Sequence, residues 1–304
     1  LIDGVVNGCP SHLLEPERLQ LFPYSEDFEN SDWTKNAGTT ITNNYATSPD
    51  GTLNASRYLG TGASGLGDKF TLSSASYTLS FYVKSNTSEN QFCALLGDSS
   101  QSSGDLLVTT EWKRISHTFT GSGLSNKTNG IFRDSSNNDI DILIYGAQLE
   151  QGSFPTSYIP NYGTAAGITR SADTANGAGD ASTFNDSEGV LMAEISALAT
   201  APTRGITLGD GTNSNRIQFY YNSSNVLNGN VINVVSQVTG FSYNGDSNTP
   251  NKVALKYKVN DFSFWVNGFK IEVDTDGITP VGLNRLNFDN GVGGAPFYGN
   301  TKQI

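Results

Sequence analysis

The stretch YTLSFYVKS at 77–85 alternates in character with a period of two, and runs of this kind recur along the whole chain at short intervals. Tyr77, Leu79, Phe81 and Val83 fall on one face of such a strand, and Thr78, Ser80, Tyr82 and Lys84 on the other, so one face is expected in a core and one in water. Between the runs stand clusters of Gly, Ser, Asn and Asp, the spacing of turns in an antiparallel sandwich. Composition closes off the helical alternative. Charged residues are only 15% of the chain, against about 25% in an average soluble domain, which leaves little material for the exposed faces of amphipathic helices. Ser, Thr, Asn and Gln instead make up about a third of the 304 residues. With glycine counted, the apolar share approaches the usual 45–50%, roughly what a folded chain needs. The sequence reads as all-β.

The length suits two domains at roughly 100–200 residues each. Residues 1–23 read as an extended segment leading into the first domain, because Cys9-Pro10, Glu15-Pro16 and Phe22-Pro23 each bias the preceding residue away from helix. A first sandwich is expected over 24–160, with its best strands at 77–85, 90–96, 112–120 and 140–149. In WKRISHTFT the alternation is poor, which places that strand near a sheet edge. Residues 161–188 are small, polar and Gly-rich, and read as a linker that hugs one or both domains. Strand patterns resume over 189–304 with GVLMAEIS, NRIQFYY and NKVALKYKV, and with FSFWV and FKIEV flanking Asn267-Gly268. That dipeptide predicts a hairpin, since both central positions of a type I′ turn need positive φ. The final FYGNTKQI looks like a strand that stops midway, so a sandwich incomplete at its C-terminal edge is expected. The fold predicted is two antiparallel β-sandwich (jelly-roll) domains in tandem.

Electrostatics narrows the partners. Eighteen basic residues against 29 acidic ones give a net charge of −11, which provides no means of neutralising phosphates along a nucleic acid. No apolar run approaches the roughly 20 residues of a membrane span, and no basic-then-apolar export signal opens the chain. The first residue is Leu1, which suggests an internal position of a longer or a processed product. Two cysteines, Cys9 and Cys93, are read as unpaired thiols, with a disulfide between them as the alternative.

The second domain resembles the concanavalin A-like lectin/laminin-G superfamily. The resemblance is carried by EGVLMAEIS, RGITLGDGTNSNRIQFYY, KVALKYKVNDFSFWVNGFKIEVDTDG and the closing GLNRLNFDN and FYGNTKQI. The wider layout, with LLEPERLQLFPYSEDFENSDWTK ahead of the first domain and IYGAQLEQGSFPTSYIP closing it, resembles modular tail-fibre and other structural proteins of tailed bacteriophages and prophages. The first domain alone also resembles jelly-roll carbohydrate-binding modules of the galactose-binding-like group. These resemblances imply a virion context, other virion proteins as partners and a homo-oligomer, a trimer being favoured.

Candidate site residues follow from chemistry. Only His12 and His117 would serve as neutral-pH bases, and neither stands beside a Cys or in a Gly-x-Ser-x-Gly elbow. The E-x-D-x-x-E strand that enzymes of the concanavalin A-like group carry is not present, so the resemblance does not extend to an enzyme and none is expected. Glu26, Asp27 and Glu29 together with Asp141 would supply hard oxygen ligands for a structural Ca²⁺, the competing reading being a solvated acidic turn. Asp139 and Glu150 could join that set, and Asp210, Asp246, Asp289 and Asn290 are weaker candidates in loops of the second domain. Sugars stack their C–H faces on aromatic rings, which makes Trp33, Tyr82, Tyr221 and Trp265 the glycan-binding candidates. For Trp33 the competing reading is core packing. Trp265 lies on the parity opposite to Phe262, Phe264 and Val266, so it should face outward under a sugar, the linker or another subunit.

The function expected is therefore a non-enzymatic virion structural and adhesion protein, part of a phage tail fibre or nearby tail component, binding host-surface glycans. The alternatives are a secreted, extracellular carbohydrate-binding module pair from a polysaccharide-degrading enzyme, and a capsid decoration protein.

Overall fold

A computed structural model describes residues 11–136, 138–198 and 202–304, with Thr239 described by its backbone alone. Cys9 lies outside the described residues. Every strand pairing is antiparallel, and no helix occurs among the described residues. The described residues divide into two compact units, one formed within 17–171 and the other by 11–16 with 172–304.

Two sheets make up the unit 17–171. One runs Leu106–Val108, Gln91–Gly97, Lys127–Arg133, Gly65–Phe70, Thr34–Lys35, with Gln101–Ser102 paired to Gln91–Gly97. The other runs Lys113–Thr120, Ser76–Ser85, Ile140–Gln151, Arg18–Gln20, Ile168–Arg170, and Ala55–Gly60 joins Thr39–Ala46 to the first half of Ile140–Gln151. Leu66, Leu95 and Ile131 of one sheet and Leu79, Phe81 and Ile142 of the other are fully buried in a single core. Tyr77, Leu79, Phe81 and Val83 all point into it, as their parity predicts. Lys113–Thr120 is an edge strand, again as its weak alternation predicts.

The opposite face of Ser76–Ser85 departs from expectation. Thr78 and Ser80 are buried rather than wet, because the chain over 152–161 lies across them. Thr78 Oγ1 donates to Gly152 O at 2.8 Å, Thr118 Oγ1 to Ser153 O at 3.3 Å, and Arg114 Nη1 to Thr156 O at 2.5 Å. Alternation specifies which side chains share a face, and this face is closed by polar contacts made by irregular chain.

The other unit is also a two-sheet sandwich. Its first sheet runs His12–Leu14, Gly299–Gln303, Glu188–Ala197, Asn251–Lys258, Phe262–Val266, Phe269–Asp274, and its second runs Val235–Tyr243, Leu227–Asn233, Asn215–Tyr221, Arg204–Gly209, Arg285–Asn287. Phe219, Phe262, Phe264 and Val253 lie fully buried between them. The Asn267-Gly268 turn takes φ of 53° and 85°, as the hairpin requires.

Two boundary expectations are corrected here. The C-terminal strand is not left unclosed, because Leu13 pairs with Asn300 and Leu14 with Gly299, so that residues from near the N-terminus complete the sheet. The N-terminal segment therefore does more than lead into the first domain. Residues 161–188 are divided between the units: Ile168–Arg170 pairs with Arg18–Gln20 in one, while Ala178 pairs with Leu286, and Asp186 accepts the N–H groups of Gly282 and Leu283, in the other.

Candidate functional site

Trp265 stands on the outer face of its sheet, half-buried, as parity predicts. The register places Met192 opposite Ala254, Ala254 opposite Trp265, and Trp265 opposite Lys270, a row that crosses four strands. Ala254 is the small member of that row. Its short side chain leaves a depression of about 400 Å³ between Met192 and Trp265, bounded further by Val190, Lys252 and Lys256. The indole Nε1–H donates to Ser263 Oγ at 2.9 Å, which holds the ring, and Lys270 Nζ lies 5.0 Å from the ring centroid in a cation–π contact. Val190 is 59% exposed and Met192 41% exposed, so this apolar surface is open.

The remaining aromatic candidates fare differently. Trp33 is 3% exposed and belongs to the core, with ring centroids 4.7 Å from Phe22 and 5.2 Å from Phe28. Its Nε1–H donates to Tyr24 O at 2.8 Å. Core packing, the competing reading, is the one observed, and Trp33 offers no platform. Tyr221 is 1% exposed because Ile217, Phe219 and Tyr221 share the inward parity of their strand; Tyr220 is the outward member of the pair. Tyr221 is therefore also corrected, from ligand platform to core residue. Tyr82 does face outward, but Arg114 lies over its ring at 5.3 Å, and Tyr145 and Tyr158 flank it at 5.9 and 6.5 Å. Protein groups already occupy those positions. Tyr158 donates to Glu26 Oε1 and Tyr145 to Asp50 Oδ2, and burial and the adjacent carboxylates push both phenols well above the ordinary range.

The acidic candidates do not converge. Glu26 accepts from Tyr158, Tyr162 and Asn54, Asp27 from Asn43 Nδ2, and Glu29 from the Asn43 N–H. Asp141 is held by Arg57 in a bidentate pair at 2.8 and 2.7 Å and by Asn86, and those bonds keep its carboxyl below the usual range. A carboxylate satisfied by a guanidinium is a poor cation ligand. Among the described residues no three His, Cys, Asp or Glu side chains are grouped to hold a metal ion, and the expected Ca²⁺ set of Glu26, Asp27, Glu29 and Asp141 is corrected accordingly. Glu150 is buried, accepts from Thr156 and Gln148, and forms an ion pair with Arg18 at 3.3 Å. Asp210 and Asp289 cap their own turns at Thr212 and Gly291.

His12 packs edge-on against Phe288 with centroids 6.0 Å apart, and His117 Nε2 lies 2.9 Å from Gln101 O. Neither imidazole is hydrogen-bonded to a Ser, Thr or Cys side chain among the described residues. Cys93 is free, fully buried, and pushed by that burial up to about 12, so it remains a thiol.

A second depression, of about 340 Å³, lies in the unit 17–171 between Phe132, Ala94, Asn36, Ser64 and Asp134. Sequence reasoning passed over it. A Cβ at Gly65 would stand 2.2 Å from the Phe132 ring, so the missing side chain is what lets the ring lie against the sheet. The signal was Gly65 in the strand GLGDKF, whose strand partner is the aromatic Phe132 far along the chain.

No family model and no curated protein matches this chain. Solved structures do. An exo-beta-agarase is 9% identical with a TM-score of 0.35, the match covering 46% of this chain and 26% of that one. The N-terminal CBM22-1–CBM22-2 tandem domain of Paenibacillus barcinonensis Xyn10C is 9% identical over 99% of this chain and 98% of its own, with a TM-score of 0.34. Mouse laminin alpha1 domains LG4-5 are 7% identical over 98% and 91%, with a TM-score of 0.28. Likeness at this level assigns no activity to the chain.

Proposed function

We propose that this chain is a non-catalytic, glycan-binding segment of a phage or prophage virion, in a tail fibre or an adjacent tail component. The observation that carries the binding reading is Trp265, an outward indole beside an open apolar depression. An aromatic face with exposed apolar neighbours suits the C–H face of a pyranose. The virion reading is supported by the sequence layout that frames the first sandwich, and the exposed Val234 and Val235, away from the Trp265 sheet, suit a surface that works within an assembly of identical chains, a trimer being favoured. Its other partners are virion proteins.

Light scattering on the full chain, a glycan array and a reducing-sugar assay test this together. An oligomer that binds glycan, releases no sugar and loses binding in Trp265→Ala is the expected result. A monodisperse monomer that degrades polysaccharide overturns it. A monomer that binds glycan and is absent from purified particles favours the carbohydrate-binding module pair of a secreted enzyme.

A further inference from the structure

We propose that the depression beside Trp265 takes an anionic sugar, a pyranose carrying carboxylate or sulfate groups. This rests on the glycan-binding reading above and names the ligand class of the same site. Its first support is the distribution of charge. The five lysines within 172–304, Lys252, Lys256, Lys258, Lys270 and Lys302, all lie on the one sheet that carries Trp265, in a protein of net charge −11. Lys258 and Lys302 pair with Glu188 and Glu194, and Lys256 pairs with Asp261. Lys252 and Lys270 have no ion-pair partner among the described residues; Lys270 ends the Trp265 row, and Lys252 lies two residues from Ala254 on the same face.

The second support is hydrogen-bond chemistry. The side chains that line the depression are Val, Met, Ala, Lys and Trp, and of these only ammonium and indole N–H are strong hydrogen-bonding groups, all donors. The indole N–H is already given to Ser263. A neutral sugar needs acceptors for its hydroxyl protons as well as donors for its oxygens, and no lining side chain is a carboxylate, amide or hydroxyl. A carboxylate or sulfate group is acceptor-only and matches ammonium groups. Lys252 lines the depression directly, while Lys270 covers the indole from the opposite neighbouring strand, 5.0 Å from the ring centroid, and leaves the side toward Ala254 open.

The test is titration calorimetry of the full chain with oligogalacturonate, dextran sulfate and neutral maltohexaose, at low salt and again near physiological ionic strength. Binding to one or both acidic glycans is expected, the two arms separating carboxylate from sulfate, with weaker binding as salt screens the charges. Trp265→Ala and the double variant Lys252→Ala/Lys270→Ala should each weaken it by about tenfold or more, while Trp265→Phe keeps most of it. Thermal unfolding of each variant confirms that the exposed substitutions leave the fold intact. Binding of maltohexaose that needs Trp265 but not the lysines overturns the anionic ligand and leaves the glycan reading standing. Acidic glycan binding that survives Trp265→Ala is ion exchange on a lysine face and overturns the site. No binding to any glycan overturns both readings. An oligomer that Trp265→Ala dissociates assigns this face to a second copy of the chain and also overturns the proposal.

Discussion

Trp33 and Trp265 are chemically the same and sit in opposite environments, and the difference is measurable. Trp33→Ala removes a ring packed on Phe22 and Phe28 and should cost the unit 17–171 about 3–5 kcal/mol in urea unfolding. Trp265→Ala should change the stability of its own unit by less than about 1 kcal/mol. Trp265 was legible because Phe262, Phe264 and Val266 fix its parity. Trp33 was not, since Phe22, Phe28 and Trp33 follow no period and meet through turns. Tyr221 was legible but misassigned, as NRIQFYY places it with Ile217 and Phe219. Two carboxylates give opposite responses to pH. Burial, with Asp32 nearby, raises Asp68 to about 6, so the folded state holds a proton that the unfolded chain releases near pH 4. Stability therefore falls as pH rises from about 4 to about 6, and Asp68→Asn should stabilise by of order 1 kcal/mol at pH 7 and by little at pH 4. Asp141, depressed by Arg57, works the other way: its contribution is complete above the ordinary carboxylate pKa and is lost on acidification below it. Chemical denaturation at several pH values separates the two.

At the scale of elements, period-two patterns located strands well and failed where a strand changes register. Ile140–Gln151 buries Ile140, Ile142 and Ile144 on one parity and then Ala147 and Leu149 on the other. The switch is a bulge between Tyr145 and Gln148, where Gly146 takes a φ of 61°. A side chain there would also stand 3.2 Å from the Tyr82 ring and 3.3 Å from that of Tyr158. Gly146→Ala should destabilise the unit 17–171 by about 1–2 kcal/mol from the left-handed backbone alone, and near-ultraviolet circular dichroism should report the disturbed tyrosines. The sequence YGAQ held the glycine but no mark of which side of it would turn inward. The polar closure over Thr78 and Ser80 was hidden for a related reason. It depends on Glu150, Gln148 and Arg114 meeting irregular backbone at 152–161, and such contacts leave no period to read.

For the whole molecule, a linear division into first and second domains misses that one unit is inserted into the other. The chain passes between units twice, at 16–17 and at 171–172. On one side Glu15 and Asp173 exchange hydrogen bonds at 2.9 Å, and on the other Arg18 and Arg170 are strand partners, so the two passages are paired within each unit. Neighbouring termini are what an inserted domain needs. Residues 17–171 expressed alone should therefore unfold cooperatively and retain their strand pairing. Residues 172–304 alone lack His12–Leu14 and with it the buried Leu14, leaving Gly299–Gln303 as an unpaired edge. That fragment should be less stable by several kcal/mol, since one Leu side chain removed from a core already costs about 2–5 kcal/mol. Joining residues 11–16 to Ala172 through a short Gly-Ser linker should restore it, with hydrogen-exchange protection returning at the alternate amides of Gly299–Gln303 that face His12–Leu14. Equal stability of the fragment with and without 11–16 would show that the N-terminal strand is an accessory to that sandwich rather than part of it.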